Sequence, residues 1–140
     1  MKFLKKIDHI GIVVEDLQGA MADFSDRLGL ECDEQIALEG AGIRMAFYSL
    51  GGGQVELIEF QKPIDGVDSI VTCPGKGVQH LAFQVDDIHG AITEMTKKGM
   101  KLVKGFPRKG GHGLVAFFYP IEGWDLLIEI CQPVDAKTKK

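Results

Sequence analysis

The sequence has few cysteines, no long apolar run and no excess of basic residues. Its three cysteines, Cys32, Cys73 and Cys131, show no CxxC spacing, which argues against a disulfide framework or structural zinc site and favours a reducing cytoplasm. No apolar segment approaches the roughly 18 residues that cross a bilayer. None follows the basic start at 1–6 either, so neither a membrane span nor export is expected. The net charge of −4 disfavours a nucleic-acid binder.

The composition that remains is that of an ordinary globular protein. Hydrophobic residues make up 45% of the chain and charged residues 26%. At 140 residues the chain has the length of one domain, so we expect 1–140 to fold as a single unit.

An internal repeat is the most informative feature of the chain. DHIGIVVEDL at 8–17 recurs as QHLAFQVDDI at 79–88, which places His9 and His80 at an offset of 71 residues (80 − 9). VELIE at 55–59 recurs as IEICQ at 128–132, which places Glu56 and Glu129 at an offset of 73 (129 − 56). Self-similarity of this kind indicates a duplicated structural unit. The sequence therefore predicts two modules, which span 6–61 and 77–133.

Both modules give the same order of structural signals. A β-branched run is followed by an aspartate at a helix N-cap position, an apolar stripe at helical spacing and a glycine at the C-cap. The aspartate and glycine are Asp16 and Gly29 in the first module, and Asp87 and Gly99 in the second. Three more strands are predicted after each helix, at 31–37, 43–50 and 54–60 and at 101–106, 114–119 and 125–131.

Strand alternation predicts where the two histidines point. Side chains two residues apart in a strand share a face, and one helix per module covers one face of the sheet. His9 and His80 then lie on the uncovered face, each followed on that face by a small residue, Gly11 or Ala82. We expect these small residues to leave room for a bound molecule.

The two histidines and two glutamates together predict a metal site. A carboxylate within an apolar strand is costly to bury unless it faces water or a cation. Taken singly, His9 and His80 are typical of core histidines, and Glu56 and Glu129 of solvated strand residues. Because both pairs recur at the same module position, we expect all four to converge on one divalent ion, with Co, Ni, Zn, Mn and Fe(II) all suited to such donors.

Other candidates give weaker signals. His112, in a glycine-rich turn, could touch a ligand, although an exposed loop histidine is the simpler interpretation. Cys131 shares the predicted face of the second glutamate, whereas Glu59 has the opposite parity from the first. Arg44 and Arg108 are available to hold an anionic substrate group, but single arginines are usually solvated.

The repeat and its histidine and glutamate positions resemble the vicinal oxygen chelate superfamily, over about 6–133. The module openings and closing strands are most similar to its methylmalonyl-CoA epimerase branch. The resemblance implies an α+β, glyoxalase-like fold, in which two βαβββ modules form a curved mixed sheet around a central metal. It also implies the metal ligands His9, Glu56, His80 and Glu129.

The same resemblance implies a metal-dependent epimerase of a methylmalonyl-CoA-like thioester, acting through an enediolate, and a homodimer. Glu129 would be the base and Glu56 its pseudo-symmetric partner. One alternative is isomerisation of a methylglyoxal hemithioacetal, as by a lactoylglutathione lyase (glyoxalase I), and another is a metal-free small-molecule binding protein. Some epimerases carry an additional acid on the third strand, but the matching stretch here, 42–48, offers Arg44 and no acid. The second proton donor is therefore left open.

Overall fold

The computed structural model describes residues 3–72 and 77–134 and has one curved, eight-stranded sheet with two helices on its convex face. The first module contains β1 (Lys6–Val13), α1 (Leu17–Leu28), β2 (Glu34–Leu38), β3 (Ile43–Leu50) and β4 (Gly53–Phe60). The second contains β5 (Gly77–Gln84), α2 (Ile88–Lys97), β6 (Arg108–Lys109), β7 (Gly113–Phe118) and β8 (Leu127–Pro133). This is the predicted α+β arrangement of two βαβββ modules.

The two modules join through their first strands. The strand order is β2-β3-β4-β1-β5-β8-β7-β6, and β1 pairs with β5 in antiparallel fashion. Within each module the first and last strands are parallel neighbours, β1 with β4 and β5 with β8. The four strands that carry the predicted site are therefore adjacent at the centre of the sheet, and both modules belong to one chain.

The predicted helices are confirmed, with differences at two caps. Lys98, not Gly99, is the C-cap residue of α2, which ends at Lys97. Gly29 ends α1 in the left-handed conformation (φ 68°), which glycine adopts without a steric penalty. The Asp87 carboxylate accepts a hydrogen bond from the Gly90 backbone at 3.1 Å and so caps α2. Asp16 occupies the N-cap position of α1, but its side chain makes no capping hydrogen bond.

Each helix start is also bonded to the last strand of its module. The Leu17 backbone N–H donates to Glu59 Oε1, and the Ile88 backbone N–H donates to Gln132 Oε1, both at 2.9 Å. These two acceptors occupy matching module positions and satisfy backbone donors that a helix leaves unpaired. Glu59 is thus directed at the helix, away from the concave face, as its strand parity predicts.

The prediction of a strand over 101–106 is wrong. Leu102 forms only an isolated bridge with Phe118, and β6 is a two-residue strand further along, at Arg108–Lys109. Gly105 adopts a φ of 101°, outside the extended region, and Pro107 has no N–H to donate to a ladder. Both residues interrupt pairing where apolar content alone suggested a strand.

Alternate residues of the sheet pack in separate layers. On β3, Ala46 and Tyr48 pack beneath α1, whereas Met45 and Phe47 pack on the concave side. On the concave side of the second module, Phe117 and Leu127 form a matching cluster with Val103. The concave face is thus apolar around its buried polar centre. Within the described residues neither helix has the length and apolarity needed to cross a membrane.

The side chain of His80, from the second module, occupies the space beside Gly11. In the β1–β5 ladder Gly11 lies opposite His80, and Ala82 lies opposite His9. A Cβ on Gly11 would lie 2.0 Å from His80 Cε1, far inside contact distance. The expectation that Gly11 leaves room for a bound molecule is therefore corrected, since the imidazole of the other module fills that room.

Replacing Gly11 should destabilise the protein through overpacking. We expect Gly11→Ala to lower the free energy of unfolding by about 1–3 kcal/mol, because the new methyl group collides with the His80 ring. Gly40→Ala is the matched control, since a Cβ there meets nothing within 4 Å. Chemical denaturation of both variants measures the difference, and equal stabilities would contradict this account of Gly11.

Candidate metal centre

The structure brings all four sequence-predicted residues together on the concave face. His9, Glu56, His80 and Glu129 lie on β1, β4, β5 and β8, respectively. The register explains their convergence, because Glu56 pairs with Gly11 and Glu129 pairs with Ala82, the two small residues of the β1–β5 ladder. The four residues are 6%, 6%, 1% and 4% exposed, so two carboxylates are buried together with two imidazoles.

The inward-facing atoms of this cluster lie within contact distance of one another. His9 Nε2 is 3.1 Å from His80 Nε2, and Glu129 Oε1 is 3.1 Å from both nitrogens. Glu56 Oε1 lies 3.4 Å from His9 Nε2 and 3.2 Å from His80 Nε2. His9, His80 and Glu129 form the tightest group, and Glu56 joins it through the two histidines.

These separations suit a shared cation. Divalent metals such as zinc bind imidazole nitrogen and carboxylate oxygen at about 2.0–2.2 Å, so neighbouring ligand atoms lie about 3.0 Å apart in octahedral and about 3.4 Å apart in tetrahedral coordination. The observed 3.1–3.4 Å falls within that interval. Two imidazoles and two carboxylates are also a donor set that Zn, Ni, Co, Mn and Fe(II) accept.

A register irregularity precedes each histidine and supplies it with an orienting partner. The β1–β5 ladder shifts between Ile7 and His9 and again at Gly11, so that Asp8 on β1 and Gln79 on β5 are the additional residues. Asp8 Oδ2 lies 2.7 Å from His9 Nδ1, and Gln79 Oε1 lies 2.7 Å from His80 Nδ1. Both modules thus use a bulge to bring the preceding side chain onto the outer nitrogen of its histidine.

These partners determine the tautomer of each ring. The Gln79 amide nitrogen donates to the Val71 carbonyl, which leaves the amide oxygen to accept from His80 Nδ1. The Asp8 carboxylate likewise accepts from His9 Nδ1, and Gln84 holds that carboxylate through a 3.1 Å hydrogen bond. With Nδ1 protonated in both rings, each neutral imidazole directs its Nε2 lone pair inward, which is the form that binds a metal.

Without a cation, protons must balance the buried carboxylates. Burial alone would lower the pKa of His9, but the negative charge of Glu129 and the hydrogen bond to Asp8 outweigh it and raise the pKa to about 11. For His80, burial is likewise outweighed by Glu129 and Glu56, and its pKa rises to about 9. Burial would raise the pKa of Glu129, yet the two histidines hold it well below its ordinary range.

A cavity of about 140 Å³ lies over the cluster. Its walls are mainly apolar, and the polar groups around it include several of the weaker sequence candidates. Cys131 lies on the wall beside Glu129, with Sγ 3.5 Å from Oε2, and burial is the main reason that its pKa is raised. Arg108 and His112 also line the cavity, whereas Arg44 is exposed elsewhere on the sheet.

The sequence interpretation missed the residues that support the histidines. Asp8 and Gln79 were visible as the residues before each histidine in the repeat, but regular alternation would direct them to the opposite face. Glu34, which contacts His112 at 2.8 Å, was also missed because it comes from a different strand 78 residues away. Only the position of Asp8 and Gln79 in the repeat could have marked them.

Comparison with known proteins finds relatives over nearly the whole chain. The chain is 30% identical over 131 residues to the uncharacterized protein YqjC of Bacillus subtilis, covering 93% of this chain and 94% of that protein. It is 29% identical over 135 residues to the mitochondrial methylmalonyl-CoA epimerase of Mus musculus, covering 92% and 74% of the two chains.

A solved methylmalonyl-CoA epimerase structure is also similar to this chain. A variant of the Streptomyces coelicolor methylmalonyl-CoA epimerase, in complex with 2-nitronate-propionyl-CoA, superposes with a TM-score of 0.78 at 26% identity, covering 94% of this chain and 99% of the other. The model of one family matches residues 8–119, most of the chain. The protein therefore belongs to the Glyoxalase/Bleomycin resistance protein/Dioxygenase superfamily.

Proposed function

We propose that the protein is a metal-dependent epimerase of a methylmalonyl-CoA-like acyl thioester. The observation that carries the proposal is the convergence of His9, His80, Glu56 and Glu129 at 3.1–3.4 Å in a partly open, mainly apolar cavity. It is supported by relatives that are methylmalonyl-CoA epimerases and by one structural neighbour that binds a CoA thioester analogue.

In this proposal the four clustered residues hold one divalent cation. When bound, the cation acts as a Lewis acid that stabilises the negative charge developing on the substrate oxygens. Asp8 and Gln79 keep both imidazoles in the metal-binding tautomer. The charges of Glu56 and Glu129 offset those of the cation, so that the buried centre is close to neutral.

Glu129 is the residue proposed to remove the α-proton of the substrate. Its Oε1 faces the two histidines, whereas its Oε2 is turned toward Cys131 on the cavity wall. Oε1 would therefore be the oxygen available to hold the cation, and Oε2 the oxygen available to exchange a proton. Loss of the α-proton gives an enediolate, and Glu56 is the pseudo-symmetric carboxylate on the opposite side of the histidine pair.

The cavity suits the acyl end of such a substrate, and its rim suits the coenzyme end. Its volume of about 140 Å³ accommodates a small branched acyl head but not the whole coenzyme. Met45, Phe47 and Phe117 exclude water from that region, which strengthens electrostatic interactions inside it. At the rim, Arg108 and Lys109 supply positive charge for the phosphates of the coenzyme arm.

A homodimer remains part of the proposal. Because α1 packs mainly on β3 and β4 and α2 on β7 and β8, the helices leave much of the convex side of β1 and β5 exposed among the described residues. Ile10 and Val78 lie on this strip and are 39% and 60% exposed. A second copy of the chain would bury them.

Light scattering tests the dimer. We expect the wild-type protein to have twice the mass of the chain, and Val78→Lys to reduce it to the monomer mass, because a buried unpaired charge is costly. Ile121→Lys is the control, because Ile121 is also an exposed apolar residue (39%) but lies on a turn outside β1 and β5. A monomeric wild-type protein would contradict this part of the proposal.

Metal affinity should depend on the outer partner of His9. We expect Asp8→Ala to weaken binding of a divalent cation by about 10–100-fold, because the ring loses its orienting hydrogen bond. Asp26→Ala, which removes the same charge from an exposed helix position, should leave the affinity unchanged. Competition with a chromophoric chelator measures both, and equal affinities would show that Asp8 does not orient the ligand.

Proton exchange tests the activity and the base together. We expect the metal-loaded protein to introduce solvent deuterium at C2 of methylmalonyl-CoA in D₂O, and Glu129→Gln to slow this exchange by about 10²–10⁴-fold. Mass spectrometry of the thioester measures the rate.

The matched control is Glu59→Gln. Glu59 accepts the hydrogen bond of a helix N–H, and its counterpart Gln132 shows that an amide performs this role, so the exchange rate should stay at the wild-type value. Wild-type exchange by metal-bound Glu129→Gln would contradict the assignment of the base. Formation of a lactoyl thioester from the methylglyoxal hemithioacetal, without exchange in methylmalonyl-CoA, would favour the lyase instead.

A further inference from the structure

Epimerisation requires proton transfer on both faces of one carbon atom, and the inference below rests on the proposed function. Glu129 lies on one of the central strands that form the floor of the cavity. A second group must then deliver a proton from the opposite side. On β3, the third strand of the first module, the cavity-lining residues are Ile43, Met45 and Phe47, none of which transfers protons.

The residues that line the cavity limit the candidates for this second proton-transfer group. Among the residues that the structure describes, the titratable side chains that line the cavity outside the four-residue cluster are Asp8, Arg108, Lys109, His112 and Cys131. Asp8 is engaged by His9 and Gln84, and the Cys131 thiol is buried on the wall beside Glu129, on the same strand. Arginine does not release a proton, and a lysine does so only at high pH. Histidine is the side chain suited to proton exchange near neutrality.

His112 lines the cavity and is held there by contacts with the first module. It lies on the β6–β7 turn, and its ring packs against Phe47 of the first module with a centroid distance of 4.5 Å. Phe47 is the direct sheet neighbour of Glu56, so the side chain that His112 packs against lies next to the clustered residues. A Cβ on the preceding Gly111 would be 3.4 Å from Ile36 Cδ1 and 3.5 Å from Met45 Cε. The turn therefore crosses the cavity and rests on the first module.

Glu34 fixes the orientation of the His112 ring. The two side chains meet at 2.8 Å between His112 Nε2 and Glu34 Oε1. Glu34 begins β2, which is one edge of the sheet, and the turn of His112 leads from β6, which is the other edge. With Nε2 donating to the carboxylate, Nδ1 is the nitrogen left to exchange a proton. A carboxylate that orients an imidazole in this way is the usual arrangement for a general acid–base histidine.

We propose that His112 is the second proton-transfer residue of the epimerase and that Glu34 is its positioning residue. In one direction the α C–H bond breaks and its proton passes to the Glu129 carboxylate. The enediolate then takes a proton from His112 Nδ1 on its other face. Glu129 returns its proton to solvent and His112 regains one from solvent, so the protein ends unchanged. The opposite epimer uses the same two groups in reverse order.

The test separates exchange from inversion. Each pure epimer of methylmalonyl-CoA is incubated in D₂O with metal-loaded protein, and deuterium content and configuration are measured together. For His112→Gln we expect inversion to fall by at least about 100-fold. Deuterium exchange with retention, from the epimer whose proton Glu129 removes, should stay within about threefold of wild type.

Two further variants provide the controls. His89→Gln replaces an exposed histidine on α2 and should change neither rate. Glu34→Ala should lower inversion by about tenfold while sparing exchange, and Glu34→Gln, which keeps an acceptor for the ring, should restore most of the inversion. Metal stoichiometry of each variant is measured in parallel, so that loss of the fold is recognised.

The outcomes distinguish the two proposals. Wild-type inversion by His112→Gln would overturn the role of His112 while the proposed epimerase stands. Equal losses of exchange and inversion, with the metal still bound, would also overturn it, because His112 would then serve only to close the cavity. A wild-type protein that neither exchanges nor inverts the thioester would overturn the epimerase and, with it, the inference that depends on it.

Discussion

Two buried carboxylates and two imidazole nitrogens share one small volume, and most features of the central strands serve to keep them there. Glu56 and Glu129 are only 6% and 4% exposed, and an unpaired buried charge would be far more costly than any single contact nearby could offset. The charge must be balanced by protons on His9 and His80 or by a cation between them. The raised pKa values of the two histidines and the 3.1–3.4 Å spacing of the donors are two consequences of the same constraint.

The antiparallel pairing of β1 with β5 brings both histidines to this shared volume, and it does so in the same way for each. Each histidine lies opposite the small residue that follows the other histidine, Gly11 for His80 and Ala82 for His9. The two rings can therefore approach each other only because the residue two positions after each histidine has a small side chain or none. On the opposite face of β4 and β8, Glu59 and Gln132 have a different role. They accept hydrogen bonds from the first backbone N–H of each helix. Strand parity alone separates the glutamate that caps a helix from those that face the centre.

Features that depend on the repeat could be predicted, and features that depend on local irregularity could not. The sequence predicts both helices, the module order and the convergence of four residues, because periodicity and duplication survive in a single chain. It fails at 101–106, where Gly105 and Pro107 interrupt a plausible strand. It also misses the two bulges that turn Asp8 and Gln79 toward the histidines, because a bulge changes side-chain direction without a composition signal. His112 could not be assigned, because its contact with Glu34 joins opposite edges of the sheet.

The modules remain alike at the centre and differ at the rim, which fits the different ligands that the proposed function assigns to the two parts. A cation has no direction of its own, so matching ligands from two related halves can surround it. A thioester has an acyl end and a coenzyme end, and a symmetric rim would bind either orientation equally well. In the cavity the first module contributes apolar side chains such as Leu38 and Ile43. The rim of the second contributes Arg108, Lys109 and His112. Substrate orientation is therefore expected to depend on the part of the duplication that has diverged, and cation binding on the part that has not.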